Sequence, residues 1–329
     1  MRNHALIARS GLACLIALGA AIVTPACAQD TPPTWAYPVN PPGYKLPPDD
    51  GTVRRVPGSN AGYTLTQVRD RFLAPNWHPD DYPAMPEIVA SGRKPEVFAC
   101  GFCHRADGPG GPENANLTGL SKPYIVRQMA DFRSGARKSS VPNRGPVELK
   151  AQLAKAVSDA EIEAAAAYFA SIKPRSNVRV VESATAPKVA VTAWYYTALP
   201  GNEQEPIGQR IVEIPEDAEQ FASRDSRARF VAYVPEGSVK RGQVLATTGG
   251  GGRTLPCGTC HGGPAMRGVA VIGLPALAGR SPSYLVRQLY DLKHGARNGS
   301  QGVIMKSTVK DLTVDDMIAL AAYLGSLEP

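Results

Sequence analysis

The sequence predicts a mainly α fold: two tandem copies of one helical unit, joined by a small linker with short strands and preceded by an irregular extension. Three observations lead there. The segment Tyr124-Ile-Val-Arg-Gln-Met-Ala-Asp-Phe-Arg-Ser-Gly-Ala-Arg137 is matched by Tyr284-Leu-Val-Arg-Gln-Leu-Tyr-Asp-Leu-Lys-His-Gly-Ala-Arg297. Both copies space their apolar residues by three and four and finish near a glycine, as a helix does. Ser158-Asp-Ala-Glu161 and Thr313-Val-Asp-Asp316 each read as a capping box that opens an amphipathic helix, over 162–172 and 317–327. Between the copies, Val178-Arg-Val-Val-Glu, Val189-Ala-Val-Thr-Ala-Trp-Tyr-Tyr and Gly208-Gln-Arg-Ile-Val-Glu-Ile are β-branched runs bounded by Pro and Gly, which predict short strands.

Taken in chain order, Met1, Arg2 and Arg9 precede an apolar stretch from Leu12 to Val23, and Ala26-Cys27-Ala28 precedes Gln29. That layout predicts a secretory signal over residues 1–28, cleaved after Ala28, and places the mature protein in the periplasm. The apolar run is shorter than the roughly 20 residues of a membrane-spanning helix, which argues against a retained anchor. Thr24, Pro25 and Ala26 stand before Cys27, without the leucine expected at a lipid-attachment site. Residues 29–84 form a Pro-, Gly- and Asp-rich extension with one short helix around Thr66 to Phe72. The first helical unit then occupies 85–175, the linker 176–235 and the second unit 236–329. Short helices are expected around Pro86 to Ser91 and Ser238 to Ala246. The linker, at about 60 residues, exceeds an ordinary connection and should carry structure of its own. Trp194, Tyr195 and Tyr196 are either its packing anchor or a partner surface.

Once residues 1–28 are removed, the remaining cysteines are Cys100, Cys103, Cys257 and Cys260, arranged as Cys100-Gly-Phe-Cys-His104 and Cys257-Gly-Thr-Cys-His261. None is left over for a disulfide. A CxxCH puts two thiols on one helical turn, where they add to the two vinyl groups of a haem, and sets the histidine under the iron as its proximal ligand. Two copies, each opening the same repeat, predict two covalently bound haem c groups on His104 and His261. A zinc reading would leave both sites short of ligands, because the other histidines are only His4, His78 and His294. A ligating imidazole is normally oriented by a hydrogen bond from its second nitrogen. The carbonyl of Pro275, in Ile272-Gly-Leu-Pro275-Ala-Leu-Ala-Gly279, is the candidate in the second unit, and that of Ala115 in the first. The formal net charge of +7 includes Arg2 and Arg9, and the propionates of two haems would bring the mature holoprotein close to neutral. With no basic run interleaved with aromatics, nucleic-acid binding is not expected.

These residues resemble the cytochrome c4 group of dihaem cytochromes, built from two class I cytochrome c domains. In the second unit the likeness runs through the CxxCH, Pro275-Ala-Leu-Ala-Gly279, Tyr284-Leu-Val-Arg-Gln-Leu, Gly295-Ala-Arg297, Met305 and Ile318-Ala-Leu-Ala-Ala-Tyr323-Leu. In the first it runs through the CxxCH, Leu117-Thr-Gly119, Tyr124-Ile-Val-Arg-Gln and Ala164-Ala-Ala-Ala-Tyr168-Phe. The extension and the linker lie outside it. The resemblance implies that Met305, on the loop before the last helix, is the distal ligand of the second haem. The first unit departs from the pattern: its final loop, Lys138 to Val157, contains no methionine, and Met129, which matches Leu289, reads as core. Counting back from the paired Tyr168 and Tyr323, the place of Met305 falls on Lys150. An amine ligand must lose its proton, at a cost of about 4–5 kcal/mol at neutral pH, which burial in a haem crevice offsets in part. His78 or Met85 from the extension, or a water-bound iron, are the other candidates.

The expected function is electron transfer from a periplasmic dehydrogenase, or a quinol-oxidising complex, to a terminal oxidase or another cytochrome. Peripheral association with a membrane surface is left open. The competing class is a dihaem oxidoreductase acting at the first haem, such as a thiosulfate-type dehydrogenase, with Arg127, Arg133, Arg137 and Arg144 as an anion pocket. Enzymes of that type carry a cysteine at the catalytic iron, which this chain lacks, and Arg127 and Arg137 recur in the second unit. A gas sensor would need a signalling domain, and no segment resembles one.

Overall fold

The computed structural model of the chain describes residue 1, residues 31–201 and residues 203–329. The expected signal segment therefore lies, Met1 apart, outside the described residues. Among the described residues no helix is long and apolar enough to cross a membrane.

Residues from Pro32 onward form one compact unit. The extension holds α1 (Leu65–Arg69), opened by a capping box between Thr64 and Gln67. The first helical unit contains α2 (Glu87–Ala90), α3 (Cys100–His104), α4 (Lys122–Ser134), α5 (Gly145–Ala156) and α6 (Asp159–Ser171). Strands β1 (Val178–Glu182), β2 (Thr185–Pro187), β3 (Val189–Thr192), β4 (Tyr195–Ala198), β5 (Gln204–Pro206) and β6 (Val212–Pro215) follow, then α7 (Ala218–Ala222) and β7 (Phe230–Val234). The second unit contains α8 (Ser238–Thr248), α9 (Gly258–His261), α10 (Pro282–Lys293), α11 (Ser300–Val309) and α12 (Val314–Ser326).

The capping boxes at Ser158 and Thr313 are formed: each hydroxyl accepts from the backbone N–H three residues on, and the Glu161 and Asp316 carboxylates accept from the cap residues' own N–H. Two backbone donors that a helix start leaves unsatisfied are thereby paired at each site. Gly135 ends α4 in the left-handed conformation at φ 78°, where a Cβ would cost energy. Two segments differ from expectation. The stretch 138–157, read as a loop, carries the twelve-residue helix α5, and Met305 lies on helix α11 rather than on an open loop.

Packing ties the linker and the extension to the helical units. In the linker, β7 pairs parallel with β1 (Val178 opposite Phe230) and antiparallel with β6. Phe230, Ala232 and Val234 share one core with Leu245 of α8, Val286 and Tyr290 of α10, and Met317 to Leu324 of α12. The first unit has its own core, in which Ile88 and Val89 meet Ile125 and the α6 residues Ile162, Ala166 and Phe169. Tyr195 is buried with its ring edge-on to Phe221 at 4.6 Å, and the Trp194 indole lies so close to Gly145 that an added Cβ would sit 2.6 Å from it. The Trp-Tyr-Tyr run is thus a packing anchor. In the extension, Tyr37 donates its hydroxyl to Asp291 Oδ1 at 2.7 Å and the Trp77 indole donates to Ser223 O at 2.8 Å.

The two units meet through the repeated motif itself. The Gly-Ala-Arg ends of α4 and α10 pair as an antiparallel bridge at Arg137 and Arg297, with Lys138 N donating to Ala296 O and Asn298 N to Ala136 O, both at 2.7 Å. Arg137 donates to Gln128 Oε1 in its own unit and to Tyr284 and Gln288 across the interface. Arg297 returns the pattern, donating to Gln288, Tyr124 and Gln128. What reads in sequence as a duplicated helix is in three dimensions a reciprocal clasp.

Candidate haem sites

In the first unit α3 presents Cys100, Cys103 and His104 on little more than one turn, and neither thiol is in a disulfide. The buried His104 directs Nδ1 to Ala115 O at 2.8 Å, which leaves Nε2 as the nitrogen available to the cavity that His104 lines. The Asn114 amide donates to Cys103 O at 3.1 Å and holds the loop that carries Ala115. Burial pushes the imidazole down to about 3, assisted by the positive charge of Lys150 and opposed by the bond to Ala115. A neutral imidazole is the form that binds a metal. Burial raises the Cys100 thiol to about 11, as expected for a side chain that is either inert or consumed by a covalent bond.

The cavity beside His104 encloses about 1180 Å³ including its open mouth. Its inner walls are apolar, with Leu120 and Ile125 on one side and Ile162, Ala165 and Phe169 of α6 on another. Its other end is polar and is shared with the second unit, through Tyr37, Glu113, Arg137, Arg144, Arg287 and Asp291. An apolar slot lined by Cys100 and His104 of the CxxCH and by the buried cations Arg137, Arg144 and Arg287 fits a covalently held haem, whose ring is apolar and whose carboxylates are not.

Lys150 projects from α5 into the wall of this cavity, together with Val147 and Leu153. Its charge acts on both Cys100 and His104. Met129, read as core, packs against the core of the first unit and also lines the cavity from α4. The other candidates from the extension are elsewhere. His78 is buried against Asp225, Nε2 to Oδ1 at 2.9 Å, and Met85 packs on the unit's core without lining the cavity. The four arginines do not converge. Arg127 donates to Gly273 O, Arg133 to Ala154 O, Val157 O and Asp159, and only Arg137 and Arg144 reach the cavity.

In the second unit α9 carries Cys260 and His261, with Cys257 at its N-cap. His261 is buried and its Nδ1 lies 2.8 Å from Pro275 O, and burial again pushes the imidazole down. The same geometry thus recurs over two different loop sequences, because the acceptor is a backbone carbonyl and the side chain there is immaterial. Met305 is partly buried against the core of this unit. Leu255, Val271, Ile272, Val303 and Ile304 of the same unit are exposed. The polar end of the first cavity was the part that sequence reasoning missed: Tyr37, Glu113 and Arg287 come from three distant segments, and no local pattern joins them.

No protein-family model matches the chain. It is 28 % identical over 239 residues to a thiosulfate dehydrogenase electron acceptor of Stutzerimonas stutzeri strain A1501, covering 72 % of this chain and 82 % of that protein. It is 24 % identical over 241 residues to cytochrome c4 of Pseudomonas aeruginosa, covering 72 % and 88 %. Over 83 residues, a quarter of this chain, it is 34 % identical to cytochrome c-554(548) of Halomonas halodenitrificans, of which it covers 94 %.

Proposed function

The chain belongs to the cytochrome c4-like dihaem c-type cytochromes, and from that premise we propose that it carries electrons in the periplasm from a dehydrogenase to an oxidase or a second cytochrome, entering at the first unit and leaving from the second. Each haem, when bound, supplies a one-electron couple. The chain's own residues do the rest. In this proposal Cys100, Cys103, Cys257 and Cys260 form the thioether links. His104 and His261 are the proximal ligands, turned toward the iron by the carbonyls of Ala115 and Pro275. Met305 closes the second site and Lys150 the first.

The observation that carries the proposal is Lys150 on the wall of the His104 cavity, in the register where the second unit has Met305. An amine donor in place of a thioether stabilises the oxidised iron and lowers the potential of the first site relative to the second. That order makes transfer from the first unit to the second downhill, and the clasp of Arg137 and Arg297 holds the two units together for it. The likeness to thiosulfate dehydrogenase electron acceptors makes a thiosulfate dehydrogenase the donor to try first.

Anaerobic mixing of the oxidised holoprotein with thiosulfate tests this. The haem bands should remain oxidised with thiosulfate alone and become reduced once a catalytic amount of thiosulfate dehydrogenase is added. Reduction by thiosulfate without the enzyme would favour a dihaem oxidoreductase instead, and no reduction in either mixture would remove this donor.

A further inference from the structure

The polar end of the first cavity contains an unexplained guanidinium. Arg144 is 1 % exposed. Its Nη1 donates to Pro38 O of the extension at 2.6 Å, but its Nη2 is buried without a hydrogen-bond partner among the described residues. The neighbouring Arg287, also buried, donates Nη1 to Ala36 O at 2.8 Å. Burial and the charge of Arg287 together push Arg144 down to about 9. Around this end of the cavity lie the buried Arg137, Arg144 and Arg287 and the exposed Lys138, against Asp291 and Glu113, whose Oε2 is likewise buried without a partner among the described residues. Asp291 is already engaged by the Tyr37 hydroxyl and the Ser140 N–H. Buried cations in excess of buried anions, with a donor left over, need a further anion. The repeat offers no counterpart, because the position that matches Arg144, counted from Tyr168 and Tyr323, is Gly299.

We propose that Arg144, fastened by the Ala36–Pro38 segment of the extension, donates Nη2 to a carboxylate of the first haem and holds up that haem's potential. The inference rests on the proposal that the first unit carries a haem on His104. It also gives the extension a role: its backbone carbonyls hold the arginines at the polar end of that cavity. A guanidinium paired with a haem carboxylate adds positive charge near the iron and disfavours oxidation. Removing it lowers the potential of the first site and leaves the second alone.

The test is potentiometry of holoprotein variants with resonance Raman spectra of the propionate-bending modes. Arg144→Gln should shift the electron distribution between the two haems about tenfold toward an oxidised first haem, equivalent to ~59 mV for a one-electron couple, and should move one propionate mode. Arg144→Lys, which keeps the charge, should recover most of the potential. Unchanged potential and modes in Arg144→Gln with both haems in place would overturn the inference, even if the variant is less stable. A potential in the unaltered protein that responds to added sulfate would instead assign the site to a free anion. Holoprotein with haem only in the second unit would overturn the underlying assignment itself.

Discussion

Lys150→Ala should turn the first site into a high-spin haem that binds carbon monoxide, while the second keeps its thioether-to-iron band. The reason is the composition of the cavity wall. Among the Leu, Ile, Val, Ala and Phe residues of its lining stand Lys150 and Met129, and the charge of Lys150 is felt by His104 itself. An amine holds iron through its nitrogen lone pair, so truncating Lys150 removes that donor from the cavity wall. Lys150→Met should restore a low-spin haem, add a second thioether band and raise the potential by roughly 0.1–0.3 V, within the ~0.8 V that axial ligands command. His78→Gln is the discriminating control. Because His78 is locked onto Asp225 at 2.9 Å, its replacement should leave the first haem's spectrum unchanged and cost about 0.5–1.5 kcal/mol of stability, since Asp225 loses one buried hydrogen bond but keeps those from Gln220 and the Arg227 N–H.

The largest effect on stability is expected from one methyl group at Gly242. This residue lies where α8 crosses α12, and a Cβ there would sit 1.9 Å from Ala319 O, 2.5 Å from Ala319 C and 2.8 Å from Tyr323 Cβ. Two of those atoms belong to the α12 backbone, so no rotamer change relieves the clash, and the helices must part. The crossing is the centre of the second unit's core, where Ala319, Ala321 and Ala322 are fully buried. Gly242→Ala should therefore lose at least about 3 kcal/mol. Thermal unfolding followed at the second haem's absorption would show it. Thr247→Ala, on the exposed face of the same helix, should stay within about 0.5 kcal/mol.

Where chemistry is local, the sequence could be read closely. Helix starts at Ser158 and Thr313 were visible because a capping box is a four-residue device, and α4 and α10 because each occurs twice. The carbonyls of Ala115 and Pro275, which lie 2.8 Å from the histidines, could be located by comparing the two units, since a backbone acceptor needs only the right register. Helices α5 and α11 escaped notice for a physical reason: each fully buries only one residue, Ala154 or Val309, and α5 turns Val147 and Leu153 to the cavity rather than into a packed core. Strand β7 lies about fifty residues from its parallel partner β1, and pairing over that distance leaves no local trace. The same holds for His78 with Asp225 and for Arg144 with Pro38. Buried polar pairs are contacts between distant segments, and each partner alone looks like an ordinary surface residue.

The most direct test of an electron carrier whose first haem has an amine ligand is the absorption spectrum of the holoprotein from the visible into the near-infrared, oxidised and then reduced with carbon monoxide added. Two low-spin haems, a single thioether-to-iron band and no response to carbon monoxide are the expected result. Two thioether bands would put Met129 on the first iron in place of Lys150, and a high-spin haem that takes up carbon monoxide would contradict the closed carrier altogether.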